Sequence, residues 1–288
     1  MNKEKAFTPL EIAKVKSEHK ENKSLTGFTL IELLVVISII GLLASIVLVG
    51  MEGAKDKADI TKILSYSSQV NRVLGAYVAA GYDFNDGTAK DISGNNNNGF
   101  LYGPVSTTSV SGLGNALYFD GSNDYVDVPN SASLNPEKIT MTAWVKPSSF
   151  ASYGNIISKR PTTSNQYILR FYSTTGRIQG YVYAGGNWRA CTTIASIVAP
   201  INEWSFIVHT YGGKKGKVYI NGGEGCYYTY TGKIAVGTSP LRIGAYSSAS
   251  ERFRGVIDEV HIYGDSLLFS EIQKLYVEGA VKHGLVLK

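Results

Sequence analysis

Residues 28–50 read FTLIELLVVISIIGLLASIVLVG, an apolar run in which Glu32 is the charged residue. At about 1.5 Å per residue, a helix of this length crosses the roughly 30 Å hydrocarbon core of a bilayer. Within lipid a helix satisfies its own backbone polar groups, so the run predicts a membrane-spanning helix. Because a carboxyl group inside such a span is costly, we expect Glu32 to need a positively charged partner.

The segment before this run, residues 1–27, is hydrophilic and rich in lysine and glutamate. Positive charge beside a first membrane span keeps that flank in the cytoplasm. The residues after position 50 are therefore expected outside the bacterial cytoplasmic membrane, which the chain crosses once. A secretory signal is cut after its apolar run at small residues, and no such site follows Val49.

The boundary between leader and apolar run resembles the prepilin signal of the type IV pilin family. Residues 27–34 read GFTLIELL, nearly the family pattern letter for letter, although this leader exceeds the family's usual length. The resemblance implies that a prepilin peptidase cuts between Gly27 and Phe28 and then methylates Phe28. It also implies assembly with other pilin subunits, as a homopolymer or heteropolymer, in which Glu32 pairs with the N-terminus of a neighbouring subunit.

The chain turns amphipathic after the apolar run, with apolar residues over 60–78 mostly three and four positions apart. This spacing is typical of a helix. One long helix is therefore predicted from the start of the apolar run to Ala80, with Gly81 as its C-cap. The predicted domains are a leader at 1–27, a pilin-like helix at 28–80 and a β domain at 81–288.

The β domain shows short alternating runs about ten residues apart, which predict an all-β sandwich or jelly roll. Turn residues at 121–123 predict a hairpin and those at 221–223 a turn. A short final helix is predicted at 270–276, with Ser270 as its N-cap. The predicted strands are 116–119, 124–128, 139–145, 167–172, 177–183, 205–211, 217–220, 226–230, 241–243 and 256–263.

Five ordered motifs in this region resemble the concanavalin A-like, laminin-G-type jelly-roll family. They are ALYFDG at 116–121, TAWVKP at 142–147, NEW at 202–204, VYING at 218–222 and GVIDEVHIY at 255–263. The resemblance implies two antiparallel sheets, one of them concave, over about residues 82–279. Members of this family bind glycans or proteins or fill structural roles, so the fold leaves the ligand open.

Alternation along the strand 177–183 places Arg177, Gln179, Tyr181 and Tyr183 on one face. Aromatic rings can stack on sugar rings while arginine and glutamine form hydrogen bonds, so this face is a candidate platform for a glycan or a protein. A solvated face whose tyrosines serve strand formation would show the same pattern. The candidate ligand-binding residues are Arg170, Tyr172, Gln179, Tyr181, Tyr183 and Trp188, with Trp188 expected in an exposed loop.

The jelly-roll resemblance further implies one structural calcium ion, which prefers oxygen ligands. The candidate ligands are Asp83, Asp120 and Asp258, which would join the first strand of the domain to the last; the alternative is that they cap turns. The cysteines Cys191 and Cys226 permit a disulfide in an exported chain, or they are two separate thiols.

Catalytic patterns are absent from the sequence. Related glucanases place acidic residues at alternate positions of one strand, whereas Asp258 and Glu259 are adjacent and face opposite sides. The histidines lack metal-ligand spacing. The net charge of +5 is scattered without a basic stripe, which argues against nucleic-acid binding.

The sequence therefore predicts a non-enzymatic, type IV pilin-like subunit, major, minor or pseudopilin, that displays a jelly roll for adhesion or for carbohydrate or protein recognition. It would reside in the cytoplasmic membrane before assembly into a surface pilus or secretion pseudopilus. The alternatives are a type II secretion-type pseudopilin with a purely structural domain and a cell-surface glycan-active enzyme.

Overall fold

The computed structural model describes residues 75, 77–108, 114–150, 153–160, 165–246 and 251–285. These residues belong to one compact unit, Lys62–Lys288. The predicted membrane span at 28–50 and the predicted helix up to position 74 lie outside the described residues. Within the described ranges, no helix has the length and apolar character needed to cross a membrane.

The described part of the chain is built mainly from short strands, followed near its end by helix α1 (Phe269–Lys282). The strands are β1 (Val78–Tyr82), β2 (Phe100–Tyr102), β3 (Val105–Thr108), β4 (Asn115–Asp120), β5 (Tyr125–Val128), β6 (Ile139–Pro147), β7 (Tyr153–Lys159), β8 (Tyr167–Tyr172), β9 (Arg177–Ala184), β10 (Asn187–Thr192), β11 (Ser205–Tyr211), β12 (Lys215–Ile220), β13 (Gly223–Thr229), β14 (Leu241–Ile243) and β15 (Arg254–Tyr263).

Two antiparallel sheets form a sandwich. Sheet A has the strand order β13-β12-β11-β6-β15-β4-β3, and β1 also pairs with β15. Sheet B has the order β10-β9-β8-β7-β14-β5-β2. The main core fills the space between them with inward-facing residues such as Phe119, Leu169 and Ile207, which are fully buried. This all-β jelly-roll sandwich confirms the predicted class for the β domain.

Helix α1 covers the outer side of sheet A, where a second core forms around Trp144, Phe206, Ile272 and Ala280. The helix lies close to the sheet because Gly279 has no side chain, and a Cβ atom there would collide with the Trp144 ring. Burying these aromatic rings stabilises the helix on the sheet, since each ring removes a large apolar area from water. The outer side of sheet A around Trp144 is therefore covered by the protein's own structure.

The C-terminal end of α1 is fixed by His283. Its Nδ1 donates to the Gly279 carbonyl oxygen at 2.8 Å, and its Nε2 lies 3.1 Å from Asp258 Oδ2 in β15. The imidazole also stacks on Trp144 at a centroid distance of 4.3 Å. The helix is longer than predicted and begins earlier: Leu268 is the N-cap, so Ser270 lies inside the first turn. Contacts with sheet A stabilise helical residues beyond those that the local sequence pattern predicts.

Strand β1 corrects the predicted end of the long helix. Val78–Tyr82 pairs with β15 instead of continuing a helix to Ala80. Gly81 is therefore not a C-cap: it lies in the strand, where a Cβ would meet the His261 ring at 3.0 Å. Pairing with a distant strand outweighs the local helical pattern here.

The predicted hairpin at 121–123 is also wrong. Strand β4 pairs with β15 in sheet A, whereas β5 pairs with β14 in sheet B, so this turn carries the chain from one sheet to the other. The turn at 221–223 does join a hairpin, β12 to β13. There Asn221 (φ 49°) and Gly222 (φ 77°) both have positive φ, as a tight two-residue hairpin requires.

Candidate functional site

The outer side of sheet B carries the residues that the sequence singled out as a platform. In β9, Ile178 and Val182 point into the core, so Gln179 and Tyr181 point the other way. Arg170 pairs opposite Gln179, and Trp188 pairs opposite Tyr183. Since directly paired residues share a face, all six candidate residues lie on this side.

We call this side the arginine–tyrosine face. Its large side chains are Tyr102, Tyr125, Tyr153, Arg160, Arg170, Tyr172, Arg177, Tyr181, Tyr183, Trp188 and Arg242. They extend over seven neighbouring strands, a width of about 29 Å at roughly 4.8 Å per strand.

Arg170 organises the centre of the face. Its guanidinium donates to Gln179 Oε1, Glu251 Oε2 and Tyr181 Oη, each at 3.1 Å. It also lies 4.2 Å from the centroid of Tyr153. Arg170 is 8% exposed, so its donors serve the protein. The sequence suggested that Arg170 would bond a ligand directly, whereas the structure makes it a positioning residue.

Gln179 has the same internal role, because its side-chain amide donates to Thr192 Oγ1 at 2.7 Å. The groups left for a ligand are therefore mostly aromatic. Burial raises the pKa of Tyr181, so its hydroxyl stays protonated. Since Arg170 already donates to the oxygen of that hydroxyl, its proton is available to an acceptor on a ligand.

Trp188 lies in strand β10 and is half-buried, rather than in the exposed loop that was predicted. Its indole meets the rings of Tyr181 and Tyr183 edge-on, at centroid distances of 5.6 and 5.3 Å. Edge-to-face packing is a favourable arrangement for such rings. Trp188 and the two tyrosines thus form one rigid aromatic cluster.

Arg160 is a member of the face that the sequence did not reveal. It follows β7, and its guanidinium lies 5.2 Å from the Trp188 centroid and 4.8 Å from that of Tyr246. Beside it is a cavity of about 140 Å³ lined by Arg160, Ile168, Arg170, Tyr181 and Trp188. No local pattern marks Arg160, because its neighbours come from strands and loops distant in sequence.

The other end of the face repeats the combination of arginine and tyrosine. Tyr102 stacks on Tyr125 at 4.6 Å. Arg242 lies 4.8 Å from the Tyr125 centroid and donates to Asp127 Oδ1 at 2.8 Å. The same chemistry therefore extends from strand β10 to strand β2.

The carboxylates found on this face among the described residues are engaged by arginine. Glu251 pairs with Arg170 and Asp127 with Arg242. The arrangement supports binding, through ring stacking, hydrogen bonds and positive charge.

The three predicted calcium ligands are not brought together. Asp120 lies opposite Arg254 in the β4–β15 ladder, and Asp258 is four residues further along β15, about 13 Å at 3.3 Å per residue. Asp258 is committed to His283, while Asp83 and Asp120 accept local backbone hydrogen bonds. Across the described ranges, no group of three or more His, Cys, Asp or Glu residues could hold a metal. These aspartates do not fit one shared ion.

The two cysteines form a disulfide in the structure. Cys191 in β10 joins Cys226 in β13, with their Cα atoms 6.0 Å apart. These are edge strands of sheet B and sheet A respectively, so the bond links the two sheets beside Trp188. The processing residues Gly27, Phe28 and Glu32 lie outside the described residues.

Comparison with known proteins identifies the amino-terminal signal. The family model of the prokaryotic N-terminal methylation motif matches residues 23–48. Over 55 residues the chain is 46% identical to the type II secretion system core protein G of Klebsiella michiganensis. That alignment covers 19% of this chain and 39% of the relative, so the chain spans well under half of that protein. The motif implies processing by a prepilin peptidase and assembly with other pilins.

Solved structures share the sandwich. Domain 4 of an extracellular arabinanase from Geobacillus stearothermophilus, in complex with arabinotriose, has a TM-score of 0.57 and 19% identity, covering 69% of this chain and 98% of that one. The binding domain of Paraclostridial Mosquitocidal Protein 1 has a TM-score of 0.61 and 16% identity, covering 72% of this chain and 53% of that one. At such identities the likeness shows the fold alone.

The β domain has a matching family model of its own. The model of the concanavalin A-like lectin/glucanases superfamily matches residues 120–273, just over half of the chain. Both predicted resemblances are thereby confirmed. The chain belongs to the concanavalin A-like lectin/glucanases superfamily and carries a prokaryotic N-terminal methylation motif, the signal of type IV pilins.

Proposed function

We propose that this chain is a non-enzymatic pilin-type subunit, cut between Gly27 and Phe28, that displays a carbohydrate-binding jelly roll on a surface filament. The observation that carries the binding role is the arginine–tyrosine face. It presents aromatic rings in fixed positions, held by Arg170, on the side of the sandwich that α1 does not cover. The similar arabinanase domain was solved with arabinotriose, which is consistent with a saccharide ligand on this fold.

The binding role is tested with the full-length chain in detergent on a glycan array. We expect Trp188→Ala and Tyr183→Ala each to weaken saccharide binding roughly tenfold or more, as loss of an aromatic anchor does. Tyr227→Ala is the matched control, because Tyr227 is an exposed ring on β13 of sheet A. Equal binding by all variants, or binding to protein ligands alone, would reject the carbohydrate role.

The filament role is tested separately at the amino-terminal signal. Gly27→Ala should leave the leader attached, as read by mass spectrometry of the N-terminus, whereas the native chain should begin at methylated Phe28. Glu32→Val should still insert, because it removes a charge from the span. It should assemble poorly, because the partner of a neighbouring N-terminus is lost. Recovery of Met1 in surface material would contradict this role.

A second candidate is a type II secretion-type pseudopilin whose jelly roll is purely structural. The observation in its favour is the similarity to the secretion system core protein G. It predicts no saccharide binding by the native chain and normal processing at Gly27. Because both candidates predict this processing, the glycan array is the experiment that separates them.

A further inference from the structure

Arg160 differs from Arg170 and Arg242 in its charge balance. Arg170 and Arg242 are each paired with a carboxylate. Within the described residues, Arg160 has no carboxylate at ion-pair distance, and its Nε is buried without an acceptor. Its contacts are the rings of Trp188 and Tyr246. A guanidinium in this state favours an anion, most of all a carboxylate that it can bind with two parallel hydrogen bonds.

The surroundings of Arg160 provide space for such a group. The cavity of about 140 Å³ is lined by Arg160, and Tyr181 and Trp188 form other parts of its wall.

We infer that the arginine–tyrosine face selects acidic saccharides, with the carboxylate of a uronic acid unit held by Arg160. The inference rests on the proposed carbohydrate binding and names the ligand class for that site. The aromatic cluster around Trp188 stacks on the sugar ring and Tyr181 donates its hydroxyl hydrogen. A neutral sugar could use the same rings but would leave the charge of Arg160 unmatched.

The test uses the full-length chain in detergent and oligogalacturonates with their methyl esters, which keep the sugar chain and mask its carboxylates. We expect the acid to bind at least tenfold more tightly than the ester, with the difference shrinking as salt is added. Arg160→Gln should bring the acid-to-ester ratio close to one, and Arg160→Lys should retain part of it. Lys215→Gln is the control, because Lys215 also lies over a ring, Tyr227, but in sheet A.

Each outcome decides a different point. Equal affinity for acid and ester, or a ratio that Arg160→Gln leaves unchanged in a variant with native melting behaviour, overturns the inference but not the proposed function. Binding of neutral glycans in the array without binding of the acid overturns it as well. If no saccharide of either class binds, the proposed function fails and the inference fails with it.

Discussion

The outer sides of the two sheets differ in what covers them: one packs against a helix, and the other is open to solvent. Sheet A buries the centre of its outer side under helix α1, with Trp144 at 0% exposure and Phe206 beside it. Sheet B instead presents guanidinium groups and tyrosines on its outer side, supported by Arg170. Antiparallel sheets need one apolar face for folding, and the second face is free to serve another purpose. The difference indicates that the outer side of sheet A adds to the stability of the fold, whereas the outer side of sheet B remains available for the proposed ligand.

The largest effect is expected on the covered side. Trp144→Ala removes a fully buried ring that contacts Phe206, Tyr276 and His283. Large-to-small changes of this kind cost about 3–5 kcal/mol. Urea denaturation should show this loss in the free energy of unfolding. A loss in the free energy of unfolding below about 1 kcal/mol would mean that α1 does not pack against Trp144 as described.

Reduction of the disulfide should have the next largest effect, because Cys191 and Cys226 tie the two sheets together. Closing a loop of 35 residues stabilises by about 3–4 kcal/mol on the chain-entropy model. The melting temperature should fall on reduction, and Trp188 should lose its fixed position in β10. A double Cys→Ser variant should not respond to reductant. Two reactive thiols per native chain would contradict the bond.

The interior between the sheets should be intolerant of charge, in contrast to the arginine–tyrosine face. His209 is fully buried, and burial lowers its pKa to about 3 from the ordinary 6.5. Because the unfolded chain binds the proton of His209 more readily, the free energy of unfolding is highest above pH 6.5. It falls as the pH drops toward 3. Between pH 7.5 and 5 the loss should be ~2 kcal/mol. His209→Leu should flatten this part of the curve, and an unchanged slope would contradict it.

The smallest effect on stability is expected on the open side. Trp188→Ala removes two edge-to-face ring contacts at the border of sheet B, which should cost about 1 kcal/mol. Urea denaturation of this variant beside Trp144→Ala gives the matched pair, one tryptophan from each outer side. A cost equal to that of Trp144→Ala would mean that both sides serve folding alike.

The sequence was sufficient where the signal is local or strongly periodic. The prepilin motif is contiguous, and central strands such as Tyr167–Tyr172 and Ser205–Tyr211 have the predicted bounds. It missed the edge strands β2, β3 and β10 and the central strand β7, whose pairing partners are set by the sandwich. It also failed at the turn after β4, because nothing local says which sheet the next strand joins.

The candidate face shows the same division. Strand alternation correctly grouped Arg170, Gln179 and Tyr181 on one side, because that depends on strand geometry alone. It misassigned the roles of Arg170 and Gln179, since their hydrogen bonds to neighbouring strands are tertiary features. Arg160 could not be found in this way, because its position between Trp188 and Tyr246 exists only in the folded chain.

Hydroxyl-radical footprinting of the full-length chain tests the central claim most directly. Without ligand, Trp188 and Tyr183 should be oxidised, whereas the buried Trp144 should not. A saturating saccharide from the array should protect Trp188, Tyr181 and Tyr183 and leave Tyr227, which is 59% exposed on sheet A, as reactive as before. Protection at Tyr227 with none at Trp188 would contradict the claim that the arginine–tyrosine face is the binding site.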